Sequence, residues 1–214
     1  MYEKFHSLEQ EKQDRILNAG MKEFAVSGFE RASTNTMVKE AGISKGLLFH
    51  YFANKKQFFL YLFDYAVELS IKEFFKTVDW SEPDLFVHLQ RSMKTKLEVW
   101  HRYPELFKFI ETAYLETSGQ VRPEMEEKIR ALHAKTMPEI FKGVDFSRFR
   151  EGLDTEKATR IIVWSLEKLG DYLLEVYKPI IPGENRYEEM TVEAETYLGL
   201  LKHAFYSDKG GSAS

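Results

Sequence analysis

The chain has 214 residues, no cysteine, a formal charge of −4 and 31 aromatic side chains. That length permits a full hydrophobic core in one or two domains, and the missing cysteines exclude disulfide scaffolds and thiolate metal sites. The acidic balance argues against a nonspecific nucleic-acid coat, yet it is uneven: residues 1–56 hold nine Lys or Arg against seven Asp or Glu, while the remainder holds 21 against 27.

Residues Met1 to Leu8 lack a cationic patch followed by an apolar run, and no stretch approaches the ~20 apolar residues that span a bilayer. A cytoplasmic protein with no membrane partner is therefore expected. In the first hundred residues only Pro83 interrupts long segments with apolar residues at three- and four-residue spacing, a pattern of nearly continuous helix. No alternating run with hairpin turn signals competes with it.

The first helix is predicted to start near Ser7, with Ser7 and Gln10 as a capping box. Its stripe of Ile16, Leu17, Met21, Phe24 and Ala25 runs to Ser27-Gly28. After Phe29, the hydroxyls of Ser33 and Thr34 suit the start of a short helix that reaches Ala41 and stops at Gly42. Ser44 caps another at once. From Lys55 a longer stripe of Phe58, Phe59, Leu62, Phe63, Ala66 and Leu69 makes a helix that links the front of the chain to the rest. Pro83 suits the first turn of the next, with Phe86, Leu89, Met93, Leu97 and Trp100 on one face, and Tyr103-Pro104 breaks it. Further helices read as about 104–118, 123–142, 154–178 and 187–206, with Pro179, Pro182 and Gly183 in the last long turn. Residues 208–214 have nothing to bury and are expected to be a disordered tail.

Between Phe24 and Phe58, helices of about 20, 8 and 8 residues joined by tight turns make a helix-turn-helix arrangement. The first braces the pair, the second crosses the DNA backbone, and the third offers its N-terminal residues to base edges. Gly28-Phe29, Ala32-Ser33-Thr34, the run Ala41-Gly-Ile-Ser-Lys-Gly-Leu-Leu-Phe-His-Tyr-Phe52 and Asn54-Lys55 resemble the DNA-binding domain of the tetracycline-repressor (TetR) family. The likeness covers about residues 8–60. It implies an all-α chain with a three-helix, homeodomain-like helix-turn-helix in 1–54 and a helical bundle for ligand binding and dimerisation in 55–207. It also implies a dimer, paired through its last two helices, that binds a palindromic operator and in most members releases it when a small molecule enters the C-terminal domain.

Local chemistry agrees with those positions. Gly42 stands where a helix must end in a tight turn, and Gly46 lets backbone approach DNA. Ser33, Thr34 and Ser44 sit at helix N-termini, where amides and the helix dipole favour phosphate, and Lys45 adds a mobile cation. Lys55 resembles a family lysine that meets phosphate. Leu47, Phe49, His50 and Tyr51 are the groove-facing candidates, with Leu48 and Phe52 pointing inward. Leu47 replaces a common small or hydroxyl residue and Phe49 a common tyrosine, while Thr36 and Val38 stand where an acid and an alanine are usual.

Ile162, Leu166, Leu169, Leu173 and Val176 repeat at 4-3-4-3 spacing, as do Met190, Ala194, Tyr197, Leu201 and Ala204. Two such helices from each of two chains would make a four-helix bundle; alternatively both seams face the chain's own core. Trp100, Tyr103, Phe107, Glu111, Tyr114, His133, Met137 and Trp164 are candidates to line a cavity for an apolar or aromatic effector, with Phe141 and Glu167 beside them. Phosphate-binding loops, dinucleotide turns and nucleophile elbows are missing, and the six histidines form no i, i+4 pair. No catalytic residue, metal or cofactor is therefore expected. The competing reading is an all-helical binding or scaffold protein without operator recognition.

Overall fold

A computed structural model of the chain describes residues 2–79, 81–177 and 186–207. In order, the helices are α1 (Glu3–His6), α2 (Gln10–Arg31), α3 (Thr34–Ala41), α4 (Lys45–Phe52), α5 (Lys55–Thr77), α6 (Leu85–Arg102), α7 (Pro104–Tyr114), α8 (Arg122–Ile140), α9 (Thr155–Val176) and α10 (Arg186–Phe205), with a 3-10 turn at Phe146–Arg148. Among the described residues extended pairing is limited to an isolated bridge between Phe149 and Tyr206. The expected Pro179, Pro182 and Gly183 turn and the tail lie outside the described residues.

The helices form two compact units, one of Met1–Lys76 with Arg102–Met137 and one of Thr77–His101 with Pro138–Ser214. The packing therefore does not divide the chain at residue 54. In the first unit Phe24 and Phe29 of α2, Leu48 and Phe52 of α4, Phe58, Phe59 and Leu62 of α5, and Phe109 of α7 share one buried cluster. Burying each such side chain contributes about 1.5–3 kcal/mol, so α5 and α7 belong energetically with the helix-turn-helix they cover. Phe24 meets the Phe59 ring edge-on at 5.0 Å, and Phe59 meets Phe109 likewise at 5.7 Å.

The beginning differs from the reading of the sequence. Ser7 Oγ donates to the Lys4 carbonyl at 2.9 Å, and α2 starts behind Glu9 with no side-chain cap. The segment before it forms α1, because Phe5 is fully buried, 4.9 Å from the Phe52 ring and 5.5 Å from Tyr61. An apolar anchor worth a few kcal/mol outweighs a cap worth about 1. Gly28, at φ 67°, kinks α2 one turn before its end and swings Phe29 into the core.

In the second unit Leu85, Phe86, Phe149, Ile162, Leu198 and Tyr206 form the core. Asp84 caps α6 by accepting the amides of Phe86 at 2.9 Å and Val87 at 3.2 Å, so Pro83 lies outside the first turn. Burial pushes the Asp84 carboxyl up, but the Val87 amide, Lys202, the Phe86 amide and Arg148 together hold it below the usual carboxylate range. Asp154 caps α9 through the Lys157 amide at 3.1 Å.

Candidate nucleic-acid interface

Short-range hydrogen bonds shape the two turns that present α3 and α4. Ser33 Oγ accepts the Thr36 amide at 3.3 Å, and the Ser33 amide is held by Glu23 Oε1 at 2.8 Å. Gly42 closes α3 in the left-handed region, φ 67° and ψ 36°, while the Ile43 amide reaches back to the Val38 carbonyl at 3.0 Å. Ser44 Oγ then accepts the Leu47 amide at 3.2 Å, so the chain turns from α3 into α4 across three residues.

One side of α4 is anchored and the other is open. Leu48 and Phe52 are buried, whereas Lys45, Gly46 and His50 are exposed and Leu47 and Phe49 half-buried. The Lys45 ammonium lies 5.9 Å from the Phe49 ring, so cation and ring share one end of the helix. A side chain at Gly46 would meet nothing within 4 Å. The protein's own packing thus makes no demand for glycine there. Thr34 is half-buried at the first position of α3.

Two expected contact residues sit differently from the rest. Tyr51 is half-buried, its ring edge-on to Phe5 at 6.0 Å and to Phe52 at 6.3 Å, and so leans on α1. The Lys55 ammonium donates to the carbonyls of Glu30 at 3.0 Å and Ala32 at 3.4 Å and lies 4.8 Å from the Phe29 ring. Lys55 neutralises the C-terminal end of α2, where free carbonyls favour a cation. Sequence reasoning missed a further positioning residue, Glu116, in the loop after α7. Its carboxylate accepts the amides of Phe29 at 2.7 Å, Ser118 at 2.9 Å and Thr117 at 3.0 Å, and Ser118 Oγ and Gln120 bind Glu30 beside it. An acid in a Glu-Thr-Ser-Gly loop was the available signal, but its distant partner is invisible in the sequence.

The residues expected to line an effector cavity do not gather in either of the two larger recesses. Trp164 is 58% exposed and Trp100 is buried, both in the second unit. Tyr103 and Phe107 pack on the first unit's core, and Glu111, Tyr114 and His133 are half-buried in that unit. The Met137 side chain lies outside the described residues. One recess, of about 410 Å³, runs between α5 and α8 and contains none of the eight. The other, about 530 Å³ between α9 and α10, is lined by Leu169, Tyr172, Tyr197, Leu200 and Leu201 among others.

Of the 4-3-4-3 seam, Ile162, Leu169, Leu173, Met190 and Ala194 are already buried within a single copy, and Leu166 and Leu201 are half-buried. Val176, Tyr197 and Ala204 of that set are exposed, in company with Ile161, Trp164, Tyr172, Val192 and Leu200. The physical reason is the width of the apolar stripe. One edge of it suffices to pack α9 on α10, and the other edge is left outward.

Residues 16–62 match the family model for bacterial regulatory proteins of the tetR family. No curated protein matches the sequence. Solved structures do. A TetR family transcriptional regulator from Chloroflexus aurantiacus is 22% identical with TM-score 0.63, over 96% of this chain and 98% of that one. A transcriptional regulator from Cytophaga hutchinsonii is 20% identical with TM-score 0.64, over 92% and 99%. FadR from Bacillus subtilis, solved in complex with stearoyl-CoA, is 15% identical with TM-score 0.63, over 88% and 96%. These likenesses establish a shared fold: an N-terminal helix-turn-helix followed by a helical C-terminal domain.

Proposed function

Because residues 16–62 match the tetR family of bacterial regulatory proteins and the helices share the fold of its solved members, we propose that this protein is a ligand-responsive transcriptional repressor. It binds a palindromic operator as a homodimer and is released by a small apolar or aromatic effector. The observation that carries the reading is α4, capped by Ser44 and anchored through Leu48 and Phe52, with Lys45, Gly46 and His50 standing in solvent. Such a helix enters a major groove with its first turn against base edges.

Roles follow from exposure and chemistry. Ser33, Thr34, Ser44 and Lys45 meet phosphate, and Leu47, Phe49 and His50 reach base edges, where an apolar group touches a thymine methyl and an imidazole hydrogen-bonds. Tyr51 and Lys55 support the reading helix from behind. The exposed Ile161, Trp164, Tyr172, Val176, Tyr197 and Leu200 favour pairing of two copies through α9 and α10, since large apolar side chains concentrated on two helices in water make a docking surface. Pairing sets the two reading helices about 34–36 Å apart, and an effector that prefers another separation by a few kcal/mol empties the operator. The stearoyl-CoA held by the Bacillus subtilis protein supports a fatty acyl chain among the effector classes. Among the described residues no helix is long and apolar enough to cross a membrane. A regulator of this kind acts on DNA in the cytoplasm and needs no enzymatic activity.

The test is selection of duplexes from a random pool followed by titration over a range of salt. A specific, salt-sensitive complex of one dimer or more per palindrome is expected. A chain that sediments as a monomer and retains no duplex is instead a helical binding or scaffold protein.

A further inference from the structure

The recess of about 410 Å³ in the first unit is an open-sided groove, and all its lining residues come from α5 and α8. Its size falls within the roughly 300–1,000 Å³ of small-molecule sites. The two helices run in the same direction: Lys56 Nζ meets Glu124 at 2.5 Å near their starts, and Lys128 Nζ meets Asp64 at 2.7 Å further on. Asp64 and Lys128 line the groove and neutralise each other. Beyond them Phe63, Val67, Ile71, Ala131 and Leu132 provide apolar walls. Toward the C-terminal ends Lys72 on α5 and Lys135 on α8 also line it, and neither has an ion-pair partner among the described residues.

An apolar trough with two uncommitted cations at one end complements a molecule with a hydrocarbon tail and an anionic head. We infer that this groove is the effector site, that it takes a single-chain amphipathic anion, and that Lys72 and Lys135 hold its head while Val67, Ile71 and Leu132 flank its tail. The word effector rests on the repressor reading; the binding does not. Burial of the tail supplies affinity, and charge-assisted contacts to the two ammonium groups supply selectivity for the head. Glu68, one turn before Lys72, is the lining acid outside the Asp64–Lys128 pair and opposes the anion.

The groove is also close to the reading helix. Tyr2 packs against Tyr61, which lies on α5 one turn before the groove residue Asp64. Its ring lies 4.5 Å from Tyr61 and 5.7 Å from Phe52, the last residue of α4.

Calorimetric titration of the full chain with submicellar dodecanoate and with dodecyltrimethylammonium tests the site without DNA. The anion is expected to bind at least ten-fold more tightly than the cation of equal tail. The Lys72→Gln/Lys135→Gln double variant should lose ten-fold or more for dodecanoate with an unchanged melting temperature. Ala131→Trp, which fills the trough from an exposed position, should abolish it, and Glu68→Gln should tighten it. Equal affinity for the two head charges, or dodecanoate binding untouched by both the double variant and Ala131→Trp, overturns the site. Dodecanoate that binds and leaves a selected operator complex intact overturns the effector role. Absence of any operator would count against the repressor reading alone, because the calorimetric result stands by itself.

Discussion

The carboxylate of Glu116 accepts the backbone N–H of Phe29 at 2.7 Å, joining segments 87 residues apart in the chain. The bond sits at the kink that Gly28 makes in α2, and a Cβ at position 28 would lie 3.4 Å from the same carboxylate oxygen. One acid therefore fixes the end of α2 from which Ser33 and α3 depart. Glu116→Ala leaves three backbone amides without their acceptor and is expected to cost about 2 kcal/mol. Gly28→Ala should cost about 1–3 kcal/mol, because φ 67° with ψ 176° is a conformation essentially restricted to glycine. Chemical denaturation measures both; a loss below half a kcal/mol for Glu116→Ala would show that water replaces the carboxylate.

Lys45 stands exposed in the first turn of α4. Lys45→Ala is expected to weaken binding to every duplex alike and to lower the slope of log K against log salt by about one unit. Lys55→Ala should behave differently, because its ammonium is engaged on the Glu30 and Ala32 carbonyls. That variant lowers the melting temperature while the salt slope holds. Identical slopes for wild type and Lys45→Ala would remove the phosphate role.

Leu47 and His50 occupy positions three apart on the open part of α4. Replacing either by Ala should change the sequences recovered from a random pool, with each lost base contact worth about 1–3 kcal/mol of discrimination. Recovery of the same operator by wild type and both variants would mean that these side chains do not read bases.

Trp164 and Leu200 are 58% and 63% exposed on α9 and α10. Because a single copy does not bury them, Trp164→Glu with Leu200→Glu should leave the monomer's fold within about 0.5 kcal/mol per site. In sedimentation the pair is expected to run as a monomer where the wild type runs as a dimer. A variant that still sediments as a dimer would move the interface elsewhere.

His88 is buried in the second unit, and burial holds its imidazole below the usual value; Glu82 and Asp79 oppose the shift and Arg91 adds to it. The folded state thus prefers the neutral ring, whereas the unfolded chain takes up a proton near pH 6.5. The stabilisation is complete above about pH 6.5 and is lost as pH falls through that value. Between about pH 7.5 and pH 5.5 the wild-type melting temperature should fall further than that of His88→Leu. Parallel pH profiles for the two would assign the acid sensitivity to other groups.

What the sequence determined by itself is local. The turn from α3 to α4 was legible because Ser33, Gly42 and Ser44 act within four residues of their partners, and the inward side of α4 because Leu48 and Phe52 repeat at helical spacing. What tertiary structure decided involves partners far along the chain. Gly20 looks like a flaw in α2 until a Cβ there is found 2.5 Å from the Phe58 ring of α5, and Lys55 looks like a surface charge until the end of α2 is placed beneath it. Ala53 takes φ 62° in a tight turn closed by the Asn54 amide on the Phe52 carbonyl at 2.7 Å, a strained step that no glycine announces. The apolar stripes of α9 and α10 were visible as stripes, but which edge of each is spent inside one copy depends on how two helices meet, and spacing along a chain carries no record of that angle.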